Sequence, residues 1–184
     1  ALKTDWRDAE TAKLRGRRLH LLLEHLPKTT PAAWAATAPM ILAAEGDCNS
    51  EERAALFSEA HRILTDPNLR ALFEGDALAE VPLTAFSKTL NHQVYGVIDR
   101  LILRDDQVLA VDFKSNQIVP QSPADVSEGY LRQMAAYDEM LRALYPTRAV
   151  KLAILWTSGP SLMELPNDLL EQALQRAAGT GVGS

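Results

Sequence analysis

The sequence predicts an α/β domain in which a β-sheet is flanked by helices. Three observations carry this. Leucines recur at helical spacing near the N-terminus, the apolar period turns strand-like at Leu78, and residues 94–115 read as two apolar runs around a short polar break. At 184 residues the chain has the length of one domain and enough material for a substantial core. Its 47% hydrophobic and 23% charged content is that of an ordinary globular protein.

The first element, TDWRDAETAKLRGRRLHLLLEHLP, places Leu14, Leu19, Leu22, Leu23 and Leu26 on one face of an amphipathic helix that stops before Pro27. Gly16 and His20 stand one turn apart beside that stripe, where a small residue lets another backbone approach. Residues 30–75 read as a helical insertion or cap. Thr30-Pro31 is an N-cap signal, Pro39 is expected to interrupt the helix that follows, and Asn49-Ser50-Glu51-Glu52 has capping-box spacing. Asp66-Pro67 is expected to open a short helix ending near Gly75. A first strand over 79–86 contains Pro82, which suits an edge or a bulge. Glu80 reads as a solvated strand residue, or as one reaching the site from a neighbouring strand.

The central hairpin follows. Residues 94–103 and 108–113 are rich in β-branched and aliphatic side chains, and Arg104-Asp105-Asp106-Gln107 suits a tight turn between them. A turn centred between Asp105 and Asp106 sets Asp99 opposite Asp112, Leu101 opposite Ala110 and Ile98 opposite Phe113. Directly opposed side chains have Cβ atoms about 4.5–5.5 Å apart, where like charges repel. Lys114, two residues beyond Asp112, emerges on the same face. Asp99 could instead pair with Arg100 or Arg104 as an ordinary surface charge, but such pairing does not require both acids on one face.

After a polar loop, 127–144 is a helix whose Tyr130, Gln133, Met134, Tyr137 and Leu141 form one stripe. Gln133 is an amide on an otherwise apolar face, so it should point at something polar. Residues 151–157 are an apolar strand, 162–165 a short edge strand, and Asn167-Asp168 caps a last helix through about Ala178. The glycine-rich residues 179–184 are expected to be a flexible tail.

Several function classes are excluded or disfavoured. No apolar run approaches the roughly 18 residues of a membrane span, and no charged start leads into an apolar signal segment. The single Cys48 excludes an internal disulfide or a four-cysteine cluster within this chain, and suits an intracellular protein. A net charge of −5 argues against gripping nucleic acid by electrostatics alone.

Two carboxylates and an ammonium converging on one spot make an oxygen-rich site for a hard divalent cation such as magnesium or manganese. Such a site fits metal-assisted hydrolysis of a phosphodiester. Paired-acid glycoside hydrolysis fits less well, because the lysine would have no role.

Gly96-Val97-Ile98-Asp99 followed on the next strand by Asp112-Phe113-Lys114 resembles the PD-(D/E)XK nuclease motif. The resemblance implies a restriction-endonuclease-like α-β-β-β-α-β core with a mixed central sheet, a single nuclease domain over 1–178, and the sheet and helix of its catalytic core over 79–157. Gly16 to His20 as G-x-x-x-H and Gln133 to Tyr137 as Q-x-x-x-Y narrow it to the RecB-like branch. By that resemblance His20 and the Phe113 carbonyl join Asp99 and Asp112 as metal ligands, while Gln133 and Tyr137 line the site beside Lys114. The phrases GRRLHLLLEHLP, VYGVIDRLIL, VDFKSN and LAILWTSGPSLMELP are similar to the C-terminal nuclease domain of the AddA subunit of bacterial AddAB helicase–nucleases. This implies a cytoplasmic Mg2+- or Mn2+-dependent exonuclease. It would cut single-stranded DNA fed by an ATP-dependent helicase region of a larger polypeptide, with an AddB-like partner subunit, in double-strand-break resection for recombinational repair. No phosphate loop of the G-x-x-x-x-G-K-[ST] kind occurs, so the ATP motor is not expected in this chain. The chief competing reading is a nuclease-fold module that guides DNA or docks a subunit and cuts little.

Overall fold

The computed structural model describes residues 2–179, with side chains from residue 9 onward. The chain forms two compact units, Ala1–Gly75 and Asp76–Ser184. Residues 180–184 of the expected tail lie outside the described residues.

The first unit is helical: α1 (Leu2–His25), α2 (Trp34–Leu42) and α3 (Ser50–Thr65). The leucine stripe of α1 is buried at Leu19, Leu22 and Leu23 and continues into buried Leu26 just past the helix end, and Leu56, Ala60 and Ile63 are buried along α3, the pattern of amphipathic helices turning apolar faces inward. Buried Arg18 ties α1 to the start of α3, its guanidinium reaching Glu52 at 2.7 Å and the backbone carbonyls of Asp47 and Glu45 at 2.5 and 3.2 Å. Asn49 caps α3 by accepting from the Glu52 amide at 2.8 Å.

Two local expectations give way here. The helix α2 continues through Pro39, because the loss of one backbone bond is offset by burial of Trp34, Ala38 and Leu42 around it. Residues 66–75 form only a short 3-10 turn over Arg70–Leu72. Asp66 turns the chain instead, its side chain accepting from Asn68 N and its carbonyl from Leu69 N and Arg70 N.

The second unit holds a five-stranded mixed sheet in the order β1 (Leu78–Ser87), β2 (His92–Leu103), β3 (Gln107–Lys114), β4 (Ala149–Trp156), β5 (Ser161–Leu165). Neighbours are antiparallel except β3 and β4, which are parallel. A parallel pair needs a crossover, supplied by α4 (Glu128–Leu144), with α5 (Asn167–Gly179) following β5. The core joins Ile98, Leu101, Val108 and Ala110 of the hairpin to Leu152, Ile154 and Trp156 of β4. Met134, Tyr137, Met140 and Leu141 of α4 cover them, with Leu170 and Ala173 of α5.

The β2–β3 register near the turn is the one that the turn position implies: Arg100↔Val111, Leu101↔Ala110, Ile102↔Leu109 and Leu103↔Val108. The paired ladder stops there, one position short of Asp99 and Asp112. At that point the Asp99 carboxylate accepts the Phe113 amide at 2.5 Å, so an acid side chain enters where backbone pairing would have continued.

Candidate active site

The site lies at the carboxyl ends of the parallel pair β3 and β4, where ligands bind in open α/β sheets. Alternation along β3 sends Asp112 and Lys114 to one side, and α4 brings Gln133 to meet them, with Tyr137 four residues on bonded to Gln133. Asp112 and Asp99 are both buried, at 4% and 8% exposure, a costly place for carboxylates unless they are paired or bind a cation.

Lys114 Nζ lies 2.7 Å from Asp112 Oδ2 and donates to Gln133 Oε1 at 3.1 Å. The Gln133 amide nitrogen donates to Asp112 Oδ1 at 3.3 Å and to the Tyr137 hydroxyl at 3.2 Å. Tyr137 in turn donates to the Val97 carbonyl at 3.1 Å. The amide on the apolar stripe therefore bridges an acid, an ammonium and a phenol. Burial raises the Tyr137 pKa, Asp112 and Asp99 push it the same way, and the hydrogen bond from Gln133 opposes them. Its proton is thus held, and so is the hydrogen bond to Val97. Lys114 also sits over the Tyr130 ring, 4.4 Å from the centroid.

On the other side of β2, the β1 register pairs Ala79 with Arg100 and Val81 with Ile98, which sets Glu80 opposite Asp99. A carboxylate oxygen of Glu80 lies within 4.8 Å of one of Asp99. Glu80 holds a left-handed backbone, φ 49°, uncommon for a residue with a side chain and costing roughly 1–3 kcal/mol. The sequence left Glu80 between two readings, and counting pairs outward from the β1–β2 turn would have placed it beside Asp99. His20 lies on α1 in the first unit, one turn beyond Gly16.

Two oxygens bound to one ion at 2.0–2.6 Å stand no more than about 4–5 Å apart. Glu80 and Asp99 bring hard oxygen donors within 4.8 Å of each other, the donor chemistry that magnesium and manganese select.

The sequence model of the PD-(D/E)XK nuclease superfamily matches residues 1–178, and the chain belongs to that superfamily. The mixed five-stranded sheet with its flanking helices and N-terminal helix agrees with the restriction-endonuclease-like fold of its members. The chain is accordingly a nuclease-type hydrolase of a superfamily that generally uses divalent metals. No curated protein sequence matches it. Among solved structures it is similar to SSO0001, known from a crystal structure, with TM-score 0.42 and 14% identity, over 94% of this chain and 85% of that one.

Proposed function

We propose that this chain is a magnesium- or manganese-dependent deoxyribonuclease that hydrolyses phosphodiester bonds of single-stranded DNA. It serves as the nuclease region of an AddA-type helicase–nuclease in bacterial double-strand-break resection. The observation that carries the chemistry is the bonded set Asp112–Lys114–Gln133–Tyr137 beside Asp99. The AddA assignment, the ATP-dependent helicase region and the AddB-like partner are supported by the sequence phrases alone. A motor that delivers the strand accounts for a nuclease with a net charge of −5.

Asp99 and Asp112 hold the cation, Glu80 adds a carboxylate from β1, and the sequence motif assigns His20 and the Phe113 carbonyl as further ligands. A divalent ion bound there would neutralise the acids, polarise the phosphoryl group and acidify water. Lys114, held beside Asp112 at 2.7 Å, orients the attacking water and offsets charge growing on the phosphate. Gln133 keeps the lysine aimed, and Tyr137 fixes Gln133. In the reaction the water oxygen bonds to phosphorus, the phosphorus–oxygen bond to one sugar breaks, and the departing oxygen takes up a proton.

Labelled single-stranded DNA with manganese tests the reading. The wild type is expected to cut, and Asp112→Ala or Lys114→Ala to lower the rate about 100-fold or more with an unchanged circular dichroism spectrum. Absence of cutting at high protein concentration, together with no manganese binding by calorimetry, would contradict the reading and favour a DNA-guiding or docking module.

A further inference from the structure

We infer that a cavity next to Lys114 receives one unpaired nucleobase of the strand whose phosphate lies at that lysine; this rests on the nuclease reading above. The cavity measures about 520 Å3, within the usual range for small-ligand sites.

Three contacts join it to the candidate active site. Trp156, in its lining, is the β4 residue in register with Lys114. Tyr130, also in the lining, carries Lys114 on its ring and packs on Trp156 at a centroid distance of 6.3 Å. Asn116, two residues past Lys114, accepts a hydrogen bond from the Tyr130 hydroxyl at 3.0 Å.

The lining chemistry selects a base over a phosphate. Among the described residues no lysine, arginine or histidine lines the cavity, whereas the acidic Asp125 does, so an anion is repelled and the phosphate stays with Lys114. Amides of Asn116 and Gln121 offer donors and acceptors to a base edge. The indole N–H of buried Trp156 has no hydrogen-bond partner among the described residues. At the rim Ile118 is 87% exposed, a large apolar side chain placed where a planar group could cover it. A base paired within a duplex is stacked on both faces and cannot enter such a recess without being extruded. The cavity thereby favours a single strand by shape.

The test uses single-stranded DNA carrying one abasic position, with cutting mapped at each phosphate in manganese. On the intact strand the wild type cuts at all phosphates; on the abasic strand, cutting next to the missing base should fall about tenfold, within what stacking a base on an aromatic contributes. Ile118→Ser should reduce that contrast to about twofold or less, and should weaken quenching of 2-aminopurine in a bound oligonucleotide. Equal cutting across the abasic position overturns the base site and leaves the nuclease reading standing. Failure to cut the intact strand overturns the nuclease reading. The 2-aminopurine signal then decides the base site alone: quenching that Ile118→Ser weakens supports it, and emission unchanged by that substitution rejects it.

Discussion

A Cβ at Gly96 would stand 2.7 Å from Cε1 and 3.0 Å from Cζ of Tyr137, and in contact with the hydroxyl. The missing side chain is what lets the phenol reach the Val97 carbonyl and meet Gln133. Tyr137 is buried and has little room to retreat. Gly96→Ala should therefore cost about 1–3 kcal/mol by overpacking. Because both positions share one contact, the losses from Gly96→Ala and Tyr137→Ala should be less than additive in urea unfolding; strict additivity would reject the contact. At this scale the sequence was informative wherever a residue violated its own pattern. Gln133 on an apolar stripe and the aspartates in a greasy hairpin were visible for that reason. Gly96 was not, since its meaning depends on Tyr137 from another element, and Glu80 stayed between two readings because its role depends on Asp99 across the strand pair.

The helix α4 serves both the core and the site, and its polar residues divide accordingly. Along its first turns Tyr130 meets Lys114, Gln133 meets Lys114 and Asp112, and Tyr137 then holds Gln133. Farther along, Glu139 accepts from Thr89 N and Oγ1 at 3.0 and 2.7 Å and from the Ser87 hydroxyl, pinning the β1–β2 turn to the helix. Between them Asp138 is buried, paired with Arg142 at 2.8 Å, and its Oδ1 has no hydrogen-bond partner among the described residues. Burial raises its pKa, against the hydrogen bond from Arg142. A carboxyl with a raised folded pKa contributes its full stability below the unfolded value of about 3.9 and loses it as pH rises through the folded value. Asp138→Asn removes that loss. The stability of the variant relative to wild type should be more favourable at pH 7 than at pH 4 in urea unfolding, and a difference independent of pH would contradict the burial argument. Element type and order were legible because each long element has a strong period. The ladder end at Asp99 was not, because it turns on a side chain taking the Phe113 amide.

For the whole molecule, the order of helices, hairpin, crossover helix and last strands could be read from periodicity, and the parallel β3–β4 pair places Asp112 and Lys114 at the strand ends where α/β sheets bind ligands. The boundary at Gly75 coincides with the change of period seen near Leu78. Less legible was the short turn over residues 66–75, where Asp66 competes with helix formation through its own hydrogen bonds. No described helix is long and apolar enough to cross a membrane. The central claim is that Asp99 and Asp112, with Lys114 between the acid and the amide of Gln133, form a metal-dependent site. Crystals of this chain soaked in manganese and measured at the manganese absorption edge test it most directly. The account predicts an anomalous peak at coordination distance, about 2.0–2.6 Å, from carboxylate oxygens of Asp99 and Asp112; no peak there, or one held by other residues, would contradict it.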